Sequence, residues 1–207
     1  MRLFSMLTRA VKHPDEIVPA LVCAWTRRQV KEVVEDGATY YVYNGVRYPG
    51  YLHEGNAASY VLETAKQFCA GTGIDVGANA WPFPGATPVD DRLGENAYRL
   101  ERFDDVSLDY IFSSHCLEHL ARWQDALRLW IRKLKPGGVL FLYLPHESMA
   151  LWRPGGPWVG GAHKWSPTWE SVVPFLEEAG MEILEYNPER DDYWSFHIAA
   201  RKRSGTG

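Results

Sequence analysis

The sequence is poor in cysteine, in long apolar runs and in basic tracts. Of its 207 residues only three are cysteines, Cys23, Cys69 and Cys116. An odd number without metal-ligand spacing argues against a disulfide scaffold and against a four-thiolate zinc site. Reduced thiols in a cytoplasm are expected. No stretch reaches the roughly 18 apolar residues that a membrane-spanning helix needs, so no membrane span is expected. Residues 1–10 are amphipathic but have no long apolar core and no cleavage site, so no signal peptide is expected either. Lys and Arg number 22 against 26 Asp and Glu, a formal net charge of −4, and the longest basic run is Arg201-Lys202-Arg203. A nucleic-acid partner held by phosphate contacts needs a basic face, which disfavours that class. There is no internal repeat, and the only low-complexity stretch is the tail Ser204-Gly205-Thr206-Gly207.

Aromatic residues, by contrast, are abundant: 9 Trp, 11 Tyr and 8 Phe, or 14% of the chain. Trp152, Trp158, Trp165 and Trp169 fall close together. Such a cluster either fills a core or forms a binding surface.

The order of patterns indicates an α/β fold. Pro14-Asp15-Glu16 opens a helical pattern with Ile17, Leu21, Val22 and Trp25 on one face. Asn44-Gly45 between the runs 38–43 and 46–48 predicts a β-hairpin, because a type I′ turn needs positive φ at both central positions. Residues 56–69 read as a helix. Short apolar strands are then expected at 74–76, 86–89, 107–112 and 139–144, with a helix over 116–134 before the last of them. Runs apolar on both faces suit buried parallel strands. A helix over 168–179, with Pro174 inside it, and strands at 181–186 and 195–200 complete the pattern.

The chemistry lies at the strand ends. Asp75-Val76-Gly77-Ala78-Asn79 follows the first strand of the series, at the edge where open α/β sheets bind ligands. Asp90 follows the second, where a carboxylate can accept two ribose hydroxyls. Farther on, Leu108-Asp109-Tyr110-Ile111-Phe112-Ser113-Ser114-His115-Cys116-Leu117-Glu118-His119-Leu120 and Leu134-Lys135-Pro136-Gly137-Gly138-Val139-Leu140 resemble the fourth- and fifth-strand motifs of class I S-adenosylmethionine-dependent methyltransferases of the type 11 kind. The segments 162–167 and 176–183 are similar to that family's substrate loop and last helix and strand, so the likeness covers roughly residues 70–202.

The resemblance implies a Rossmann-like, doubly wound, mainly parallel seven-stranded sheet with its last strand antiparallel. Residues 61–203 would form the methyltransferase domain, and residues 1–60 a helix-and-hairpin extension packing on it. It implies S-adenosylmethionine as cofactor, S-adenosylhomocysteine as product, and cofactor contacts from Asp75, Gly77, Ala78, Asn79, Asp90, Ser114 and His115. Asn96-Ala97 resembles the family's acid-Ala pair at the adenine. Two departures stand out. Asn79 occupies a position where a second glycine is common, and Trp81-Pro82-Phe83-Pro84-Gly85 replaces a helix that its two prolines forbid. Bacterial members with a short Pro-rich loop look similar.

His115-Cys116-Leu117-Glu118-His119 also matches the H-x-x-E-H pattern of a zinc protease. That reading accounts for none of the flanking motifs, and no metal is expected.

Methyl transfer to a hydroxyl needs a proton acceptor. His115, His146 and His163 are the candidates, because imidazole titrates near neutrality. The Trp- and Gly-rich segment 152–163 is long for a connection. Trp152, Trp158 and Trp165 could stack on a sugar or aromatic acceptor, and Arg153 could hold an anionic group. The same rings could equally pack on the N-terminal hairpin. The expected function is O-methylation of a small molecule or saccharide by a monomer or homodimer. The alternative is a binding or regulatory protein of methyltransferase fold with a weakened cofactor site.

Overall fold

The computed structural model describes residues 17–204. The expected helix start at Pro14-Asp15-Glu16, the segment 1–10 and the tail 205–207 lie outside the described residues. The chain divides into two compact units, Gly55–Ser148 with Pro167–Gly207, and Met1–Glu54 with Met149–Ser166. Among the described residues no helix is long and apolar enough to cross a membrane.

The larger unit is built on one sheet. Its strands are β4 (Gly73–Val76), β5 (Thr87–Val89), β6 (Leu108–Ser114), β7 (Leu134–Pro145), β8 (Met181–Asn187) and β9 (Ser195–Lys202). Their order is β5-β4-β6-β7-β9-β8. β5, β4, β6 and β7 pair in parallel, whereas β9 runs antiparallel to both β7 and β8. The sheet therefore has six strands among the described residues, not the seven expected. Residues 90–107 hold a short 3-10 turn at Asp91–Leu93 and an isolated bridge between Asn96 and Arg99, and no strand there extends the sheet beyond β5. Pro88 in β5 lacks the N–H that one ladder bond would use, which suits an edge strand.

The central strands bury both faces, as continuous apolar sequence requires: every residue of β7 from Val139 to Pro145 is buried. One face carries an aromatic tier. Phe83 stacks on Phe112 with ring centroids 4.7 Å apart, Phe112 on Phe141 at 5.8 Å, and Phe141 on His197 at 5.6 Å. Phe68, the last residue of α2 (Ala58–Phe68), meets Phe141 at 6.0 Å. The 81–85 segment is a bend, not a helix, and buried Phe83 supplies the apolar cover a helix would give.

The helix expected over 116–134 is interrupted. Leu117–His119 forms a 3-10 turn, and α3 runs only over Trp123–Lys133, burying Leu127, Trp130 and Ile131. The last helix, α4 (Trp169–Glu178), continues through Pro174. Trp169 does not pack beneath it: the ring is 38% exposed and stacks on Tyr186 at 5.8 Å.

The smaller unit contains α1 (Ile17–Arg27) and a three-stranded antiparallel sheet, β1 (Lys31–Glu35), β2 (Ala38–Tyr43) and β3 (Val46–Pro49). Asn44-Gly45 makes the expected β2–β3 turn, with φ of 50° and 77°. The expected hairpin is thus a meander, because Asp36-Gly37 makes an equivalent turn before β2, with φ of 52° and 80°. On α1 two residues of the expected face do not face the core. Val22 and Trp25 are 44% and 64% exposed, while Thr26 is buried. Arg27 Nε donates to Pro157 O at 2.6 Å, and Gly160 approaches Cys23 so closely that a Cβ would lie 3.1 Å from its Sγ.

Candidate active site

The parallel strands end side by side, and their carboxyl ends define a cleft. β4 ends at Val76 and β6 at Ser114, and a cavity of about 220 Å³ opens beside them. Asp75, Gly77, Asn79, Ser114 and His115, which the motifs single out, are among its lining residues. Asn56, Trp81 and His119 also line it and were not foreseen. A wider groove of about 610 Å³ lies wholly within the smaller unit, beside Tyr40, Tyr41, Tyr51 and His53. It has no buried carboxyl group among its lining residues.

Asp75 is the most constrained group at the cleft. It is 2% exposed, and its Oδ2 accepts the Phe83 N–H at 2.8 Å. Burial pushes its pKa up from 3.8 to about 7, the hydrogen bond from Phe83 opposes that rise, and the negative charge of Asp90 adds to it. Ser114 Oγ is buried and has no hydrogen-bond partner in the structure. Gly77 has φ of +87°, and a Cβ there would lie 2.5 Å from Cys116 Cβ, so only glycine lets the loop after β4 lie against the turn after β6.

The loop after β4 is locked to Asp90. Asn79 N donates to Asp90 Oδ2 at 3.0 Å, and Arg92 N donates to Asp90 Oδ1 at 2.9 Å. Asn79 itself has φ of 49°, and its Oδ1 accepts from Arg92 Nη1. Asn96 and Ala97 are not among the residues lining the cavity. Asn96 Oδ1 accepts from Tyr98 N at 2.8 Å, and Ala97 O accepts from Trp130 Nε1 at 2.8 Å.

His115 follows β6 in a left-handed conformation, φ 49°. Its Nε2 lies 2.8 Å from Ser195 Oγ and its Nδ1 3.5 Å from Glu118 Oε1. Glu118 is fully buried, which raises its pKa from 4.5 to about 8. His146 follows β7. Its Nδ1 accepts from Ser148 N at 3.1 Å and lies 2.8 Å from Ser148 Oγ. His163 is buried within the smaller unit.

The Trp-rich segment is folded within the smaller unit. Trp158 meets Tyr41 edge-on at 5.1 Å and His53 at 4.9 Å. Gly155 N donates to Gly160 O at 2.7 Å, closing the Gly-rich part into a tight loop. Trp152 is buried, Trp165 half-buried and Arg153 exposed.

A parallel sheet with one antiparallel strand beside β7, an Asp-x-Gly loop after β4 and a cleft at the strand ends form a recognisable set. The family model described as Methyltransferase domain matches residues 54–142. Residues 54–142 are thus similar to a methyltransferase domain. Solved structures agree on the fold. An S-adenosylmethionine-dependent methyltransferase from Mesorhizobium loti is 16% identical, with a TM-score of 0.53 over 72% of this chain and 99% of that one. One from Methanosarcina mazei is 17% identical, with a TM-score of 0.53 over 68% and 97%. The [4+2]-cyclase SpnF is 16% identical, with a TM-score of 0.53 over 72% and 82%. No curated protein matches the sequence.

The methyltransferase cofactor carries an amino-acid end, a sulfonium and an adenosine. The donor set suits the first of these: the buried Asp75 carboxyl and the unpartnered Ser114 Oγ are polar groups at an otherwise enclosed strand end.

Proposed function

We propose that this protein transfers the methyl group of S-adenosylmethionine to an oxygen atom of a small molecule or saccharide. The observation that supports the reading is the cleft itself, where buried Asp75 shares one strand-end cavity with Ser114 and His115. When bound, the cofactor supplies a methyl group on a positively charged sulfur. Asp75, Gly77 and Ser114 would hold its amino-acid end, and Asp90 its ribose hydroxyls. The net charge of −4 and the lack of a basic stripe favour a small acceptor over nucleic acid.

A hydroxyl acceptor must lose its proton as its oxygen takes the methyl group. His115 is the histidine proposed for that role, because it lines the cleft. His146 is less suited. It is not among the residues lining the cleft, and its Nδ1 accepts the Ser148 N–H.

A second reading, a binding protein of methyltransferase fold, draws on one observation. Both oxygens of Asp90 already accept backbone N–H bonds, and the side-chain oxygen of Asn96 is committed to Tyr98. Thermal denaturation with S-adenosylmethionine and S-adenosylhomocysteine separates the two. Stabilisation by both is expected, and no shift at millimolar ligand would sink the enzyme reading. Methyl transfer from radiolabelled cofactor to a panel of saccharides and phenols then tests the acceptor. His115→Gln is expected to lower transfer by about 10²- to 10⁴-fold.

A further inference from the structure

Nothing in the sequence pattern marks Asp191 or Ser195, yet both are tied to His115. Asp191 shapes the turn before β9. Its Oδ1 accepts from Tyr193 N and from Ser195 N, each at 2.9 Å, and its Oδ2 accepts the Tyr143 hydroxyl proton. Asp191 N donates to Ser195 O at 2.9 Å, and Trp194 N to Asp191 O at 3.0 Å. The turn thus delivers Ser195, fully buried, to the start of β9 opposite Pro145. There Ser195 Oγ lies 2.8 Å from His115 Nε2 and 3.1 Å from Tyr193 O.

A serine hydroxyl has a single proton. The Tyr193 carbonyl can only accept, so it is one destination for that proton. Tyr143, which also contacts Ser195, has committed its own proton to Asp191 and offers Ser195 only an acceptor. With its proton directed to one of these two oxygens, Ser195 Oγ accepts from His115, and Nε2 carries a hydrogen. A neutral imidazole then keeps its lone pair on Nδ1, the nitrogen that faces Glu118. A carboxylate against that lone pair would repel it. Burial favours the protonated form of Glu118, which removes the conflict and lets the pair share a proton. The ring is fixed by its surroundings: it sits edge-on to Tyr143 at 5.6 Å and to Tyr193 at 5.9 Å, and His115 N donates to Tyr143 O at 2.9 Å.

We infer that Asp191 and Ser195 are positioning residues that place the His115 proton on Nε2 and set Nδ1 against Glu118, so that His115 and Glu118 share one proton. The functional consequence rests on the methyl-transfer reading above, whereas the tautomer does not.

Histidine side-chain ¹H–¹⁵N spectra of the full chain test the inference, with His115→Gln assigning the signal. The native protein is expected to show the Nε2-protonated pattern once the ring is neutral. Ser195→Ala is expected to give a tautomer mixture, and Ser195→Thr, which keeps a hydroxyl, to restore the native pattern. With an acceptor in hand, Ser195→Ala is expected to lower kcat by about 10- to 100-fold while KM for the cofactor moves less than about twofold. An Nδ1-protonated pattern in the native protein overturns the inference without any variant having to fold, as does a Ser195→Ala spectrum identical to the native one. A cofactor-induced thermal shift together with the wrong tautomer overturns this inference alone. The expected tautomer without any thermal shift overturns the methyl-transfer reading alone.

Discussion

Two loops of this protein have nearly the same vocabulary and different jobs. Trp81-Pro82-Phe83-Pro84-Gly85 and the segment 152–163 are both rich in Trp, Pro and Gly. The first closes a sheet face: Phe83 stacks on Phe112, and its backbone N–H meets buried Asp75 at the candidate active site. The second closes on its own unit, with Trp158 against Tyr41 and His53 and Pro157 O against Arg27. Composition predicts that each loop is kinked and apolar. It does not predict what each covers, because that depends on which strands present apolar faces beside it. The first loop meets a cleft residue directly, the contacts given for the second lie within its own unit, and variants can test that contrast.

The largest effect is expected at Phe83. Phe83→Ala removes a buried ring from the aromatic tier and leaves a cavity over β6, which costs about 3–5 kcal/mol. Urea unfolding followed by circular dichroism measures it. A loss below about 1 kcal/mol would mean that the loop does not stand in for the missing helix.

Asp75→Asn comes next and acts through the same loop without emptying it, since the amide oxygen can still accept the Phe83 N–H. Above pH 7, where the Asp75 carboxyl is ionised, it removes a negative charge from the cleft. The affinity for S-adenosylmethionine is expected to fall by about 100-fold, read by titration calorimetry. Its effect on pH dependence has a definite sign. Because the folded-state pKa is raised from 3.8 to about 7, the folded protein binds the proton more tightly than the unfolded chain does. Stability contributed by that proton is present below pH 4 and is lost as pH rises through about 7. Glu118 adds a second loss in the same direction, up to about pH 8. Asp75→Asn is therefore expected to raise the melting temperature at pH 8 relative to the native protein and to flatten its decline from pH 5.

Trp158→Ala is the counterpart in the other loop. The ring is half-buried and makes two edge-on contacts, so a cost of about 1–2 kcal/mol is expected. The cofactor-induced thermal shift should stay within error. If the shift vanished while the chain remained folded, the separation between the two loops would fail.

What was legible in the sequence follows the range of the forces involved. β6 and β7 were readable because strands buried on both faces must be apolar throughout. Asp75, Gly77, Ser114 and His115 were readable because a ligand edge restricts residue type over a few neighbouring positions. β1 was missed although Asp36-Gly37 carries the same turn signal as Asn44-Gly45, because its strand Lys-Glu-Val-Val-Glu is largely solvent-facing and gives no apolar pattern. His119 was placed at the opening of a helix, where the chain instead makes a 3-10 turn that brings it to the cleft. The Asn96 side-chain oxygen closes a local turn two residues on, a bond that a resemblance to an adenine-contact pair does not reveal. Ser195 lay beyond sequence reasoning altogether, since it reaches His115 across 80 positions and through a turn that only Asp191 explains.

The smallest effect is expected at Asn79, and it bears most directly on the comparison. If asparagine at this position weakens the cofactor loop, glycine should repair it. The structure argues otherwise. The loop is tied to Asp90 by the backbone N–H of residue 79, which glycine keeps. Glycine would relieve the left-handed φ of 49° and lose the side-chain bond to Arg92, an exposed contact of small value. The two changes oppose each other, so Asn79→Gly is expected to alter stability by less than about 0.5 kcal/mol and cofactor affinity by less than about threefold. A tenfold gain in affinity by calorimetry would instead show that the native loop is a weakened site, and would move the balance toward the binding-protein reading. Near-neutrality would mean that the short loop holds its shape through Phe83 and Asp90, and that the second glycine is dispensable here.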